Sequence, residues 1–266
     1  MKETAWLDKE DDIRAQLALQ VELSFDRHHV FMRKHGLAEC GNIVDVGTGN
    51  GLFLGKVAQS NPAIRFSGID NKPHMIEEAG ERGIPNVDWV EADALDPITR
   101  TMLGSTQGIL MRYFLLHLPD TRVSLSHMLA EVKPGTRLWI FDLDTDHSRC
   151  EPYHAAYESF RDIVRRFCEQ NSVETRAGTV LPPILETLGF AVGEVAAEPF
   201  NNQAVDSSRF AEYLYREAAL YHYFMEGTDT SDTLTALKHF LYDVMDPTTY
   251  FVQYGMIMIS AVKKPS

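Results

Sequence analysis

The chemistry in this sequence is concentrated where acids and glycines recur at short, regular spacing. Asp45-Val46-Gly47-Thr48-Gly49-Asn50-Gly51 sets an acid two residues ahead of a glycine trio. Glycine lets the backbone take positive φ and lets a ligand come close to main-chain atoms. The helix expected from Leu52 onward would turn unpaired N–H groups and the positive end of its dipole toward the same place. Asp45 interrupts an apolar run, and a buried carboxylate needs a partner or a role. Nineteen residues beyond Gly51 comes Asp70, followed by Asn71, placed to accept two ribose hydroxyls as the acid of dinucleotide folds does. Asp93-Ala94 follows the next apolar run in the same way. Together these residues describe a nucleotide-sized site.

Strands and helices have to hold them there. Ile43, Val44 and Val46 form a β-branched run suited to a strand covered on both faces. Residues 64–69, 87–91, 107–113, 136–143 and 190–195 read as further strands, and 250–262 as a closing one. Helical spacing is expected over 10–36, 53–59, 73–82, 118–131, 151–168, 179–188, 207–224 and 233–245, with Pro182 and Pro183 in the first turn of their helix. Asp206-Ser207 and Ser231-Asp232 are plausible N-caps. Alternation of strand and helix through residue 143 specifies an α/β fold. It is a doubly wound, mostly parallel seven-stranded sheet with helical lid and cap inserts. Ligands bind such sheets at the carboxyl ends of the strands, where the winding reverses.

The third glycine falls at Gly51 rather than at position 52, which is Leu52, so the turn departs from a dinucleotide fingerprint. Asp45 to Gly51, with Asp70, Asp93 and the phrase Phe114-Leu115-Leu116-His117-Leu118-Pro119-Asp120, resembles the class I, Rossmann-like S-adenosylmethionine-dependent methyltransferases of the small-molecule branch. The resemblance covers roughly residues 40–145 and implies an antiparallel final strand. It further implies S-adenosylmethionine as cofactor, held by Asp45, Gly47, Thr48, Gly49, Gly51, Asp70, Asn71, Asp93, Ala94 and Arg112, with Asp93 accepting from the adenine amino group. Methyl transfer from a sulfonium needs alignment and exclusion of water, and a phenol, carboxyl or amine acceptor must also lose a proton. His117 and Tyr113, at the end of the fourth strand, are the catalytic candidates, although a helix-start role for His117 competes.

The implied division is a helical lid over 1–40, a cofactor-binding core over 41–145, a cap insert over 146–178, and completion of the core over 179–266 with a helical insert at about 205–246. Helices ahead of the first strand often cover the cofactor in this family, and an arginine of the stretch 25–35 would meet its carboxylate. In the inserts His147, His154 and Tyr157 are substrate-binding candidates. His147 and His154 are also alternative bases, while Tyr157 with Tyr153, Phe160, Tyr213, Tyr215, Tyr221, Tyr223 and Phe224 offers an aromatic chamber, ordinary helix packing or a homodimer interface. Asp142, Asp144, Asp146 and His147 carry metal-ligand chemistry, but strand four ends in Arg112-Tyr113 without a carboxylate, so no metal is expected.

Composition sets the remaining bounds. The formal charge of −13 argues against DNA or RNA as substrate, as does Met111-Arg112-Tyr113-Phe114 where nucleic-acid enzymes carry other phrases. No apolar run reaches a membrane span, the first eight residues lack a signal-peptide core, and Cys40, Cys150 and Cys168 are widely spaced; a cytoplasmic protein is expected. The expected function is methyl transfer to oxygen, nitrogen or carbon of a small metabolite or natural-product intermediate of secondary metabolism. Sulfonium-assisted cyclisation or decarboxylation, and a non-catalytic scaffold subunit, are the alternatives.

Overall fold

A computed structural model describes residues 10–170, 173–224 and 231–265. In chain order the helices are α1 (Glu10–Lys34), α2 (Leu52–Ser60), α3 (Pro73–Gly80), α4 (Pro97–Ser105), α5 (Thr121–Met128), α6 (Ala155–Gln170), α7 (Ala177–Thr187), α8 (Ser207–Phe224) and α9 (Ser231–Val244). The strands are β1 (Asn42–Val46), β2 (Arg65–Asp70), β3 (Val87–Glu91), β4 (Gly108–Arg112), β5 (Arg137–Leu143), β6 (Arg149–Glu151), β7 (Phe190–Ala197), β8 (Phe251–Gln253) and β9 (Met256–Lys263).

Two compact units share the chain. The larger, within Phe25–Asp146, Ser172–Glu198 and Met256–Ser266, holds one sheet in the order β3-β2-β1-β4-β5-β9-β7. The first five strands run parallel, and β9 lies antiparallel between β5 and β7. Strand order reverses between β1 and β4, which opens a crevice above their carboxyl ends. Side-chain alternation assigns the faces. Val44, Val46, Ile109, Met111, Leu138 and Ile140 join Leu103, Leu125, Leu181 and Leu185 of α4, α5 and α7 in one core. Asp45, Leu110, Arg112 and Phe141 point to the opposite face, where Phe31 of α1 meets the Phe141 ring at 5.8 Å.

The smaller unit, within Met1–Ser24, His147–Asn171 and Pro199–Gly255, contains the first half of α1 with α6, α8, α9 and the β6–β8 ribbon. Phe200 packs edge-on to Tyr213 at 5.0 Å, and Phe160 lies 5.9 Å from Tyr254. Asn202 pins the unit by donating to the carbonyls of Val244 and Tyr250 while accepting from the Val252 N–H.

Several sequence expectations shift. The division between units falls inside α1, after Ser24, rather than at residue 40. The closing run 250–262 is two strands: β8 pairs with β6 in the ribbon and β9 joins the sheet, separated at Tyr254-Gly255. Pro182 and Pro183 sit inside α7, not in its first turn. The helix starts earlier, at Ala177, because Asp144 accepts from the Gly178 N–H at 2.6 Å and fixes that end. The helix expected over 118–131 is shorter, spanning only α5, which Asp120 caps by accepting from the Val123 N–H at 2.9 Å, and a 3₁₀ turn, Leu115–His117, precedes it. Helix α4 escaped the periodicity reading, although Asp96-Pro97 announces it through proline at the first helical position. Asp206 caps α8 by accepting from the Arg209 N–H. The readings made on residues 1–8, and on the side chains of Tyr223 and Phe224, lie outside the described residues.

Candidate functional site

The turn after β1 folds back on β2. The N–H groups of Gly47 and Thr48 both donate to the Ile69 carbonyl, at 2.8 and 2.9 Å. Gly47, Gly49 and Gly51 all take positive φ, at 75°, 57° and 71°. Their surroundings differ. A Cβ on Gly47 would lie 2.5 Å from Cδ2 of Phe114, and one on Gly51 would lie 2.6 Å from the Trp89 ring, so these two are fixed by packing. A Cβ on Gly49 would meet nothing within 4 Å. The turn is therefore closed by protein on two sides and open at Gly49.

The acids sit around that opening. Asp70 accepts from the Gly49 N–H at 2.9 Å on one oxygen and from the Lys72 N–H at 3.0 Å on the other, which orients a half-exposed carboxylate and leaves lone pairs for hydroxyl donors. Asp93 is exposed; Asn71 donates to its Oδ2 at 3.1 Å and the Leu95 N–H to its Oδ1 at 2.9 Å. Asp45 is buried beneath the turn, with Oδ2 accepting from the Thr48 hydroxyl at 2.8 Å and Oδ1 meeting no donor among the described residues. Burial lifts its pKa to about 7, against the Thr48 bond and the charge of Arg112, with Asp70 adding to the rise.

The carboxyl end of β4 supplies the opposite wall. Tyr113 has φ 51°, the one positive-φ non-glycine residue among those described. A side chain in that region costs about 1–2 kcal/mol and persists only where the surroundings dictate it. Here they do: the Tyr113 N–H donates to the Phe141 carbonyl at 2.8 Å, and Oδ2 of buried Asp142 accepts from the Phe114 and Leu115 N–H groups. The guanidinium of Arg112 lies over two rings, 4.6 Å from that of Phe53 and 4.5 Å from that of Tyr113. Its Nε donates to Nδ1 of His28 at 3.3 Å.

His117 presents open surface on one side and is crowded by protein on the other. Burial first, then the Lys72 ammonium, lower its pKa to about 4, against Asp70. A base that weak is poorly matched to removing a proton from a phenol or ammonium at neutral pH, so its neutral ring is suited to hydrogen bonding beside Asp70.

The smaller unit carries the other three candidates. Tyr157 is fully buried and its hydroxyl donates to the Gln253 carbonyl at 2.6 Å, with burial raising its pKa further above the phenol range. The His154 ring stacks on Phe240 at 4.2 Å, and its Nδ1 accepts from the Ala156 N–H. His147 is exposed, and its carbonyl accepts from Gln253. Tyr157, Phe160, Tyr213 and Tyr221 are buried in that unit, whereas Tyr153 is 71% exposed. Asp142 and Asp144, considered as metal ligands, direct their carboxylates to backbone N–H groups, of residues 114, 115 and 143 for the first and 146 and 178 for the second.

Sequence reasoning passed over His28 and Glu198. Glu198 is fully buried, and Arg27 donates to its Oε1 from Nε and Nη2 at 3.1 and 2.9 Å while His28 Nε2 reaches Oε2 at 2.8 Å. No spacing signal could have paired residues 170 positions apart.

Residues 43–135 match the family described as a methyltransferase domain. An O-methyltransferase of Aspergillus nomiae is 28% identical over 159 residues, which is 57% of this chain and 65% of that protein. Trans-aconitate 2-methyltransferase of Deinococcus radiodurans is 24% identical over 151 residues, 56% of this chain and 54% of that protein. The alignments thus span less than two thirds of either relative. Among solved structures, the plantazolicin methyltransferase BpumL, in complex with a substrate analogue and S-adenosylhomocysteine, superposes with TM-score 0.58 at 13% identity, covering 97% of this chain and 92% of that one. The [4+2]-cyclase SpnF superposes with TM-score 0.55 at 20% identity, covering 91% and 81%. At these identities the two structures establish the fold: a seven-stranded, mostly parallel, Rossmann-like sheet with one antiparallel strand.

Proposed function

With residues 43–135 a methyltransferase domain on a class I, Rossmann-like sheet, we propose that this chain binds S-adenosylmethionine at the Gly47–Gly51 turn and transfers its methyl group to a small molecule. When bound, that cofactor supplies a sulfonium-activated methyl group open to in-line displacement. The observation that carries the reading is the open side of Gly49 beneath an oriented Asp70 carboxylate. Asp70 accepts two ribose hydroxyls, and Asp93, at the tip of β3, accepts from the adenine amino group. Gly49 lets the backbone approach the ligand. Asp45 contributes a buried oxygen without a donor among the described residues, which suits a cationic or hydrogen-bond-donating group above the turn. Arg112 meets the amino-acid carboxylate. The Tyr113 and Phe53 rings exclude water beside it. Acceptors named for the relatives, an O-nucleophile and trans-aconitate, support a small oxygen acceptor for this chain too.

Methyl transfer from labelled cofactor to a panel of small carboxylates and phenols tests the reaction, and calorimetry tests the site. We expect micromolar binding of S-adenosylhomocysteine. Asp70→Ala should weaken it by about tenfold to a hundredfold, since hydrogen bonds to charged groups contribute about 1.5–3 kcal/mol. Unchanged binding in Asp70→Ala sinks the assignment.

A further inference from the structure

The sequence suggests that an arginine of α1 reaches the cofactor, but Arg27 is turned to Glu198 instead. What α1 presents to the β4 end is His28. We propose that Glu198 and His28 are positioning residues, which hold Arg112 where it receives the carboxylate of the bound cofactor and release it at acid pH. The proposal rests on the reading that the glycine turn binds S-adenosylmethionine.

The proton inventory fixes the arrangement. Arginine Nε can only donate, so its contact at 3.3 Å with His28 Nδ1 requires a bare lone pair there. The ring proton then belongs on Nε2, 2.8 Å from Glu198 Oε2, where a carboxylate can accept it. Burial opposes ionisation of Glu198, but His28 first and Arg27 second outweigh it and lower its pKa. The ring cannot turn to another partner. It stacks on Phe141 at 4.0 Å and 13°, with Phe53 at 5.8 Å and Tyr113 at 6.2 Å closing the other sides. A second hydrogen bond therefore reaches Arg112 through a rigid, neutral imidazole. Arg112 in turn lies on the face of the sheet that carries Asp45, and its charge is felt by that acid.

The charged groups acting on His28 among the described residues are Arg27 on its own helix, Glu198 after β7 and Arg112 on β4, and the Phe53, Phe141 and Tyr113 rings lie against it. Burial lowers the imidazole pKa most; Glu198 opposes, and Arg112 and Arg27 add to the lowering. Above the ordinary histidine range the neutral relay is intact. As pH falls below it, a proton on Nδ1 removes the acceptor for Arg112 and places a second cation beside it. Arg112 then has to leave.

Calorimetry with S-adenosylhomocysteine and with 5′-methylthioadenosine, which lacks the amino-acid carboxylate, tests this from about pH 7.5 down to about pH 4.5, below the ordinary histidine range. In the wild type, acid should weaken the first ligand more than the second. His28→Phe keeps the stacked ring but neither polar nitrogen. It should weaken S-adenosylhomocysteine about tenfold at the higher pH, the size of one charge-assisted hydrogen bond, and abolish the extra acid loss. Binding of 5′-methylthioadenosine should stay within about twofold. Asp45 is present in both proteins, so its own titration cancels. His28→Gln, which can still donate and accept but cannot titrate, should retain affinity and lose the pH step. Wild-type behaviour in His28→Phe, equal weakening of both ligands, or an acid step persisting in His28→Gln overturns the proposal. Failure of both ligands to bind the wild type instead overturns the reading of the site.

Discussion

The turn above β1 and the aromatic interior of the smaller unit handle polar atoms in opposite ways. Around the turn, backbone N–H groups orient carboxylates without saturating them: Asp70 keeps lone pairs facing the opening, and one oxygen of Asp45 has no donor among the described residues. In the smaller unit Tyr157, Asn202 and Glu217 are served by their neighbours, although Oε1 of Gln16 is buried without a hydrogen-bond partner among the described residues. The Tyr157 hydroxyl serves the Gln253 carbonyl, Asn202 makes three backbone contacts, and Glu217 accepts from Gln16 and Tyr254. The contrast recurs within the sheet itself. Asp45 and Asp142 are both buried aspartates near strand ends, yet Asp142 accepts three backbone N–H groups and its pKa rises only to about 6, against about 7 for Asp45. The open oxygen of Asp45 fits the proposed ligand above the turn, whereas the three donors to Asp142 make it a structural joint.

Glycine substitutions offer the largest break in that contrast. Gly47→Ala should cost about 3 kcal/mol, combining left-handed backbone strain with overpacking against Phe114. Gly49→Ala meets open space and should cost only the strain, about 1–2 kcal/mol, while weakening S-adenosylhomocysteine binding at least as strongly as Gly47→Ala. Thermal melts beside calorimetry separate the two, and equal melting points would erase the distinction between packed and open glycines.

A smaller effect concerns Asp45. Its folded pKa of about 7 stands above the ordinary aspartate value, so the folded protein holds a proton the unfolded chain has released. Its contribution to stability is therefore lost as pH rises from about 4 to about 7. Asp45→Asn removes that loss. In the absence of ligand its melting point should gain on the wild type as pH rises from 4 to 8, while cofactor affinity falls. A constant offset across that range would show that the folded Asp45 carboxyl titrates no higher than that of the unfolded chain.

Smallest of all should be Tyr157→Phe. Deleting its hydroxyl leaves the Gln253 carbonyl short of one donor and should lower stability by about 1 kcal/mol, with cofactor affinity unchanged. A specific fall in kcat for a methyl acceptor would instead draw the smaller unit into the chemistry.

Most of the sheet was legible because its strands are short β-branched runs cut by glycine, proline and acids. The glycine turn and the strand-end places of Asp70 and Asp93 were legible because positive φ and strand termination are local demands. The splitting of 250–262 into β8 and β9 was not, since both halves are apolar and only pairing partners far along the chain separate them. The start of α7 was missed for a related reason: Asp144, more than thirty positions earlier, fixes it.

The sequence by itself determined the class of fold, the place of the glycine turn and the acids at the strand ends beside it, because each depends on local backbone demands and strand-end position. Only the tertiary structure decided which of those groups remain open. It closed two glycines and left one facing space, turned Arg27 away to Glu198, and made His28 the contact to Arg112. Such choices rest on burial and on partners brought together across as many as 171 positions, which no local pattern encodes.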